Sequence, residues 1–580
     1  MAKLNRGTRA AVFDASGQVS PASSGLRERK SATVNEEGGL AFKMTPEVEL
    51  LTRVMTCMVG EPKFYDSSGS EHLDAVVKLV GKVAKTDPEL VLKMAAYARN
   101  QMYLRTIPQV MLVEATAHEG TKKFVRKYTP SIVRRADELA EVVSYYIQRF
   151  GEIGDGKTKD HPKAKKAKGM LCNSLKRGLG DAFHQFDSYA LAKYDRDGPV
   201  KLKDVIRIVH PKPQDKEQGK MWKMLLNREL PPPATWEVAL STKGASKETW
   251  EGIIPKMGYM ALLRNLRNFT EKGVELDAIL KKLTDPEEVK RSKQLPFRFW
   301  SAYAAVAEAE GLELDWQEGR LRWGRFGGST SEKVGTSNKV LRAMQTCLEA
   351  SVQNLPTIPG KTFMTADNSG SMSSPISERS KVQKHHIANL LQSMANRISD
   401  EAITSVFGET FKVVHADPSD GIITNMRKFR ATDVDHSTNA WLSVEWLNKQ
   451  KVVVDRIILF SDMQCYSTHG EDPEDHMGSP GQSLAEQFWA YKKNINPNCM
   501  LYSIDLAGYG TAQFPKTDKN VVTLAGWSEK LLEFIKRYEQ RGEGQLTAIQ
   551  EFKALEVRKP KSWFPKEADD GDGKDSDNDT

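Results

Sequence analysis

Near Leu355 the spacing of apolar residues changes character. From Pro46 to about Leu348, apolar side chains recur three and four positions apart in segment after segment. In "TPEVELLTRVMTCMV", Thr45 stands in the cap position and Pro46 opens the first turn. Leu50, Leu51, Val54, Met55 and Met58 then share one side. "TDPELVLKMAAYARNQMYL" repeats the device, with Asp87 as cap and Pro88 in the first turn. "TPSIVRRADELAEVVSYYIQRF", "DSYALAKY", "KLKDVIRIV", "YMALLRNLRNFT" and "LPFRFWSAYAAVAEA" continue the series. Such a series predicts an all-α solenoid of helix pairs, degenerate and HEAT-like because no strict period is visible.

After Leu355, short unbroken apolar runs alternate with helical stretches. "KTFMTA", "AITSVFG", "FKVVHA", "DRIILFS" and "MLYSIDLAG" read as strands, and "NVVTLAG" precedes the last helix, "SEKLLEFIKRYEQ". Helices are expected around Lys381–Asn396, in "NAWLSVEWLNKQ" and near Ser483–Lys493. Continuous apolar strands alternating with helices predict a parallel sheet covered on both faces, an open, Rossmann-like α/β domain. The division expected is a mobile arm over 1–37, helical repeats over 38–355, the α/β domain over 356–545 and a C-terminal segment over 546–580. At 580 residues the chain is too long for one core.

No run of about 18 apolar residues is present, so no membrane span is expected. The N-terminus lacks the apolar core of a secretory signal. The five cysteines, Cys57, Cys172, Cys347, Cys465 and Cys499, are scattered and never spaced as CxxC. These features fit a monomer in a reducing cytoplasm without a disulfide framework.

The net charge of +8 hides an asymmetry. The last fifteen residues, "KEADDGDGKDSDNDT", carry −5, leaving +13 on the rest. Cations recur from Lys157 through Lys176, Arg177, Lys193, Arg196 and Arg207 to Lys212, with His210 and tyrosines among them. Such a face can neutralise phosphates while rings stack on unpaired bases. A solvated surface with a solubilising tail accounts for the charge equally well.

"FMTADNSGSMSSP" ends an apolar run in Asp367, Ser369 and Ser371, with Gly370 expected to let the backbone turn tightly. In a doubly wound sheet, ligands sit beyond the carboxyl ends of the strands. "DHSTNAW", where Thr438 reads as a helix cap, and the Asp462 that follows "RIILFS" reach the same end. Thr432 and Ser437 compete with Thr438 for the third hydroxyl. Two carboxylates and three hydroxyls suit a hard divalent cation, Mg²⁺ or alternatively Mn²⁺, which wants about six oxygens at roughly 2.1 Å. The pattern D-x-S-x-S with a later Thr and Asp resembles the metal-ion-dependent adhesion site of von Willebrand factor A domains. Enzyme readings find little support. Ser369 stands where haloacid-dehalogenase-type phosphatases need a second Asp, and neither a phosphate loop nor a G-x-S-x-G elbow occurs. His385-His386 reads as part of a helix.

"VLRAMQTCLEASVQNLPTIPGKTFMTADNSGSM", "MALLRNLRNFT", "LAKYDRDGPVKLKDVIRIVHPKP" and "IDLAGYGTAQFP…TLAGWSEKLLEFI" together resemble the Ro ribonucleoproteins, the TROVE-domain family, over roughly Gly38–Ile535. The resemblance has a bacterial or phage-borne flavour. It implies a ring of HEAT-like helices closed by the A domain, with Y RNA on the outer basic surface and single-stranded 3′ ends of misfolded RNA in the hole. In bacterial members the Y-like RNA tethers an exoribonuclease, polynucleotide phosphorylase. Lys193 and His210 look like RNA-contacting residues of the family, whereas Asp197 occupies the place of a family arginine, with Arg196 one step earlier. Read without the family, Lys193 and Arg207 serve as solvated helix charges and His210 as a helix C-terminal cap. The function expected is a noncatalytic RNA scaffold. The alternatives are a metal-dependent protein-binding adaptor and a metal-dependent nuclease, which would need a second metal or a general base.

Overall fold

The computed structural model describes residues 32–35, 40–57, 70–151, 171–195, 198–231, 235–292, 294, 296–309, 312–313, 322–323, 331–352, 355–376, 382–465, 483–515, 520–542 and 544–565. The lysine run Lys157–Lys168, Arg196, the acidic tail Asp569–Asp579 and most of the expected arm lie outside them. The chain forms two compact units. One holds Met1–Asp74 and Tyr259–Leu546, the other Ala75–Gly258 and Thr547–Thr580. The change of apolar spacing at Leu355 falls inside the first.

The second unit is helical. Helices Pro88–Asn100, Glu119–Ile132 and Asn173–Phe183 pack in succession, while Thr106–Ala115 packs on Ala136–Phe150, which in turn meets Ser188–Tyr194 and Leu202–Val209. This two-layer stacking is that of a helical solenoid. Three starts are fixed by aspartate caps: Asp87 accepts from Leu90 N–H at 3.2 Å, Asp187 from Ala190 N–H at 2.8 Å and Asp215 from Gln218 N–H at 2.8 Å. Each such cap contributes about 1 kcal/mol. The segment "TPSIVRRADELAEVVSYYIQRF" is not one helix. It breaks between Ile132 and Ala136, where Glu138 accepts the N–H groups of Arg134 at 2.6 Å and Arg135 at 3.1 Å and pairs with buried Arg99 at 2.9 Å. Gly178 lets two helices touch, since a Cβ there would collide with the Thr129 side chain. Residues 547–565 return as a strap. Leu555 N–H donates to Ser131 Oγ at 2.8 Å, Ser188 N–H to Trp563 O at 2.9 Å and Trp563 Nε1–H to Asp215 Oδ2 at 2.8 Å.

The strands of the first unit, in chain order, are β1 (Ala32–Val34), β2 (Leu40–Lys43), β3 (Leu312–Glu313), β4 (Arg322–Trp323), β5 (Ile358–Asp367), β6 (Ser399–Phe407), β7 (Phe411–Val413), β8 (Arg456–Ser461), β9 (Met500–Asp505), β10 (Thr511–Ala512) and β11 (Val521–Ala525). The main sheet has the order β11-β9-β8-β5-β6-β7 and is parallel except at its β6–β7 edge. Helices Trp441–Gln450 and Leu484–Asn494 share a core with Phe363, Ile457, Leu459 and Leu501, while Lys384–Ile398 packs across β5, β6 and β8. Every residue of β8 is buried. Its one charge, Arg456, pairs bidentately with Glu539 at 2.6 and 3.0 Å and donates to Thr362 Oγ1 at 2.8 Å. Helices Pro296–Ala309 and Ser331–Val352 pack on Lys384–Ile398 and Ile422–Ala431 respectively, where Glu349 accepts Ile422 N–H at 2.8 Å. The expected arm ends earlier than its composition suggested: β1 pairs with β2, and β2 with β10. That sheet ladder satisfies backbone groups which a Ser- and Gly-rich segment would otherwise leave to water.

Candidate metal centre and nucleic-acid face

Three parallel strands deliver acids or hydroxyls at their carboxyl ends. Asp367 closes β5, Ser461 and Asp462 follow each other at the end of β8, and Asp505 closes β9 opposite Ser461. Asp367 is fully buried. Its Oδ1 accepts Ser369 N–H at 3.0 Å and its Oδ2 accepts Ser461 Oγ–H at 2.7 Å. Burial, and then the charge of Asp462, push its carboxyl up to about 7. Asn368 fixes the turn: it donates to Phe429 O at 3.0 Å, accepts from Asn389 at 3.0 Å, and its N–H reaches Phe407 O at 2.9 Å. The hydroxyls of Ser369 and Ser371 stand 3.5 Å apart.

Asp462 Oδ1 accepts Gln464 N–H at 3.2 Å, whereas its Oδ2 is buried with no hydrogen-bond partner among the described residues. A buried carboxylate oxygen without a donor is costly, and a bound cation would relieve it. Among the described residues, no three His, Cys, Asp or Glu side chains close into a metal-holding group. A metal here would therefore depend on hydroxyl ligands, and Asp367, Ser369, Ser371 and Asp462 fit that demand.

Two expectations need correction. Thr438 does not cap the following helix. That helix is Trp441–Gln450, its N-cap is Ala440, and no side chain bonds there. Thr438 instead lies buried in the loop whose His436 carbonyl accepts Gly370 N–H at 2.8 Å, which ties the second loop to the first. The tight turn expected at Gly370 is present, but it does not depend on that residue being glycine. Gly370 begins the 3₁₀ turn Gly370–Ser373, and a Cβ would sit at an ordinary 3.5 Å from His436 O.

Sequence reasoning missed two residues of this neighbourhood. Asp505 carried the same signal as Asp367, an acid ending a parallel strand, and its Oδ1 accepts Ala507 and Gly508 N–H at 2.9 and 2.7 Å. Lys384 opens helix Lys384–Ile398 and points its ammonium at Tyr509 Oη, 2.8 Å away. No local motif announced it.

The cationic candidates belong to the helical unit. Lys176 and Arg177 lie on Asn173–Phe183, the arginine exposed. Lys193 is half-buried on Ser188–Tyr194, with its Nζ 5.4 Å from the Tyr194 ring centroid. Arg207 is exposed on Leu202–Val209, which packs against Asn173–Phe183. His210 is exposed and is that helix's C-cap, left-handed at φ +50°. Both roles weighed for His210 are thus open to one residue: the backbone ends the helix and the ring faces solvent. Not every nearby cation is available, since Arg126 is held bidentately by Asp181 at 2.7 and 3.1 Å.

The TROVE domain model matches residues 13–230 and 227–317. "Telomerase protein component 1" of Rattus norvegicus is 22% identical over 643 residues, covering 84% of this chain and 23% of its own length. The chain spans only 13% of the Mus musculus protein of the same name, at 24% identity over 46% of this chain. "RNA-binding protein RO60" of Deinococcus radiodurans is 20% identical over 75% of this chain and 83% of that protein. The crystal structure of the Deinococcus radiodurans RO (RSR) protein matches with a TM-score of 0.56 at 16% identity, covering 86% of this chain and 100% of that one. That likeness establishes a shared fold of helical repeats and a Rossmann-like α/β domain. With the family model running over more than half of its length, this chain belongs to the TROVE domain family.

Proposed function

We propose that the protein is a noncatalytic RNA-binding scaffold of RNA quality control. In this reading, Y-like small noncoding RNA lies on the face of Lys176, Arg177, Lys193, Arg207 and His210. Single-stranded 3′ ends of structured or misfolded RNA are a second class of ligand, and the bound RNA recruits an exoribonuclease such as polynucleotide phosphorylase. The observation that carries the reading is the placement of exposed Arg177, Arg207 and His210 on packed neighbouring helices of a TROVE chain. Phosphate neutralisation supplies affinity there, and an exposed ring supplies contact with a base. The name "RNA-binding protein RO60" of a relative supports the same direction.

The centre at Asp367, Ser369, Ser371, Thr438 and Asp462 is proposed to take Mg²⁺ or Mn²⁺. The bound ion would supply positive charge to two buried carboxylates. The chain's own part is to hold Asp367 between Ser369 N–H and Ser461 Oγ–H. All five side chains are buried, which favours a structural ion over an adaptor that captures a partner's carboxylate.

Sequencing the RNA that copurifies with the protein from its host tests the function. Enrichment of one or a few small structured RNAs over total RNA is expected. A copurifying pool indistinguishable from total RNA would overturn the reading.

A further inference from the structure

Lys384 joins two of the loops around the acidic centre. Its backbone N–H donates to Ser374 O at 3.2 Å, and Ser374 Oγ–H donates to Ser371 O at 2.8 Å, which fixes the residue beside the serine turn. Its Nζ donates to Tyr509 Oη at 2.8 Å and lies 5.0 Å from that ring's centroid. Tyr509 directly follows Gly508, whose N–H donates to Asp505 Oδ1 at 2.7 Å. The side chain thus reaches from the end of β5 toward the end of β9.

Lys384 is only 4% exposed. A buried ammonium is tolerated where opposite charge surrounds it, and a phenol hydroxyl supplies none. Burial lowers its pKa, while the charges of Asp462, Asp505 and Asp367, in that order, hold it up. The same carboxylates that would ligate or neighbour a metal are therefore what compensates the lysine. A divalent cation among them would add a second positive charge acting on the same buried carboxylates, and repulsion between like charges is strong where water is excluded.

We propose that Lys384 is a tethered counter-cation that competes with a divalent ion for the carboxylates of Asp367, Asp462 and Asp505. It keeps the metal-free centre folded and weakens metal binding. The proposal rests on the metal-centre reading above and adds the group that sets its affinity.

Lys384→Met preserves the apolar stem and removes the charge, and Lys384→Arg retains the charge. Calorimetric titration with Mn²⁺ should show Lys384→Met binding at least about tenfold tighter than wild type, with Lys384→Arg close to wild type. Melting curves should show a lower metal-free Tm for Lys384→Met and a larger Mn²⁺-induced rise than in wild type. If Lys384→Met does not fold, Lys384→Gln, which keeps a donor for Tyr509, carries the same expectation. Mn²⁺ binding by wild type with equal or weaker binding by the uncharged variant overturns the competition. Absence of Mn²⁺ uptake by all folded variants and by wild type overturns the metal centre itself.

Discussion

Ser461 Oγ–H donates to Asp367 Oδ2 at 2.7 Å, joining the carboxyl ends of adjacent parallel strands β8 and β5. The bond orients a carboxylate that burial and the Asp462 charge would otherwise disfavour. Removing that charge should therefore act in opposite directions on metal affinity and on metal-free stability. Asp367→Asn should raise the metal-free Tm while weakening Mn²⁺ binding tenfold or more, roughly the loss of one direct ligand at a hard-cation site. RNA affinity should stay within about twofold, since the cations proposed to carry it belong to the helical unit. Equal Mn²⁺ uptake by wild type and Asp367→Asn in calorimetry would reject the site.

Acid should destabilise the protein through two buried histidines. His385 and His386 stack edge to face with centroids 4.2 Å apart, and His385 has no hydrogen-bond partner at either ring nitrogen among the described residues. Burial holds His386 at about 3 and His385 well below the usual imidazole range, with the Arg430 charge adding to both. Below about pH 6.5 the unfolded chain takes up protons that the folded chain refuses. Stability present above that pH is therefore lost as pH falls, by about 1.4 kcal/mol per pH unit for each histidine. His385→Leu should flatten the fall in Tm between pH 7 and pH 5. An identical fall in wild type and variant would show that His385 takes up protons equally in the folded and the unfolded chain, so that burial does not hold it neutral.

How legible the fold was depended on whether the signal was local. Period-3.6 spacing with Asp87 before Pro88 announced a capped helix, and "RIILFS" announced a buried strand, because in both cases neighbours in sequence are neighbours in structure. The break near Val133 was hidden, since "TPSIVRRADELAEVV" keeps its apolar spacing across it while Glu138 gathers backbone donors and Arg99 from elsewhere. At the candidate metal centre, the convergence of Asp367 and Asp462 could be read because strand ends meet in a parallel sheet. Lys384 could not, because its partner Tyr509 lies 125 positions away. The Thr438 cap failed for a related reason: a Thr three residues before a helix fits several loop geometries, and only the Gly370–His436 bond selects one.

The described chain ends at Pro565, beside the cationic helices. Trp563 is anchored to Ser188 and Asp215, and Lys220 stands 5.9 Å from the Phe564 ring centroid, so the chain reaches Pro565 close to the helix that carries Lys193. Residues 566–580 carry −5 and would compete with phosphates for the same cations. Deleting them should tighten RNA binding about threefold to tenfold at low ionic strength, where the Debye length approaches ~30 Å, and much less at physiological salt. Filter binding at both salt concentrations checks this, and unchanged affinity at both would leave the tail a solubilising role.

The cationic face separates phosphate contacts from a base contact. Lys193→Glu together with Arg207→Glu removes about two phosphate contacts, so affinity should fall for many RNAs and the salt slope should flatten by about 0.7–0.9 per lost contact. His210 should behave differently. Its left-handed backbone, φ +50°, strains any residue with a Cβ by roughly 1–2 kcal/mol, and glycine relieves that strain. His210→Gly should therefore raise the melting temperature. If the ring touches a nucleotide, the same variant should lose about fivefold to tenfold in affinity for a Y-like RNA, equivalent to roughly 1–1.4 kcal/mol, while weak binding to an arbitrary single strand survives. A residue acting only as a helix cap gives the same rise in stability with RNA affinity intact, so RNA affinity separates the two readings. Titrating labelled Y-like RNA and an unrelated single strand into both variants, beside melting curves, distinguishes the two, and undiminished binding by the Lys193→Glu, Arg207→Glu double variant would remove these helices from the RNA face.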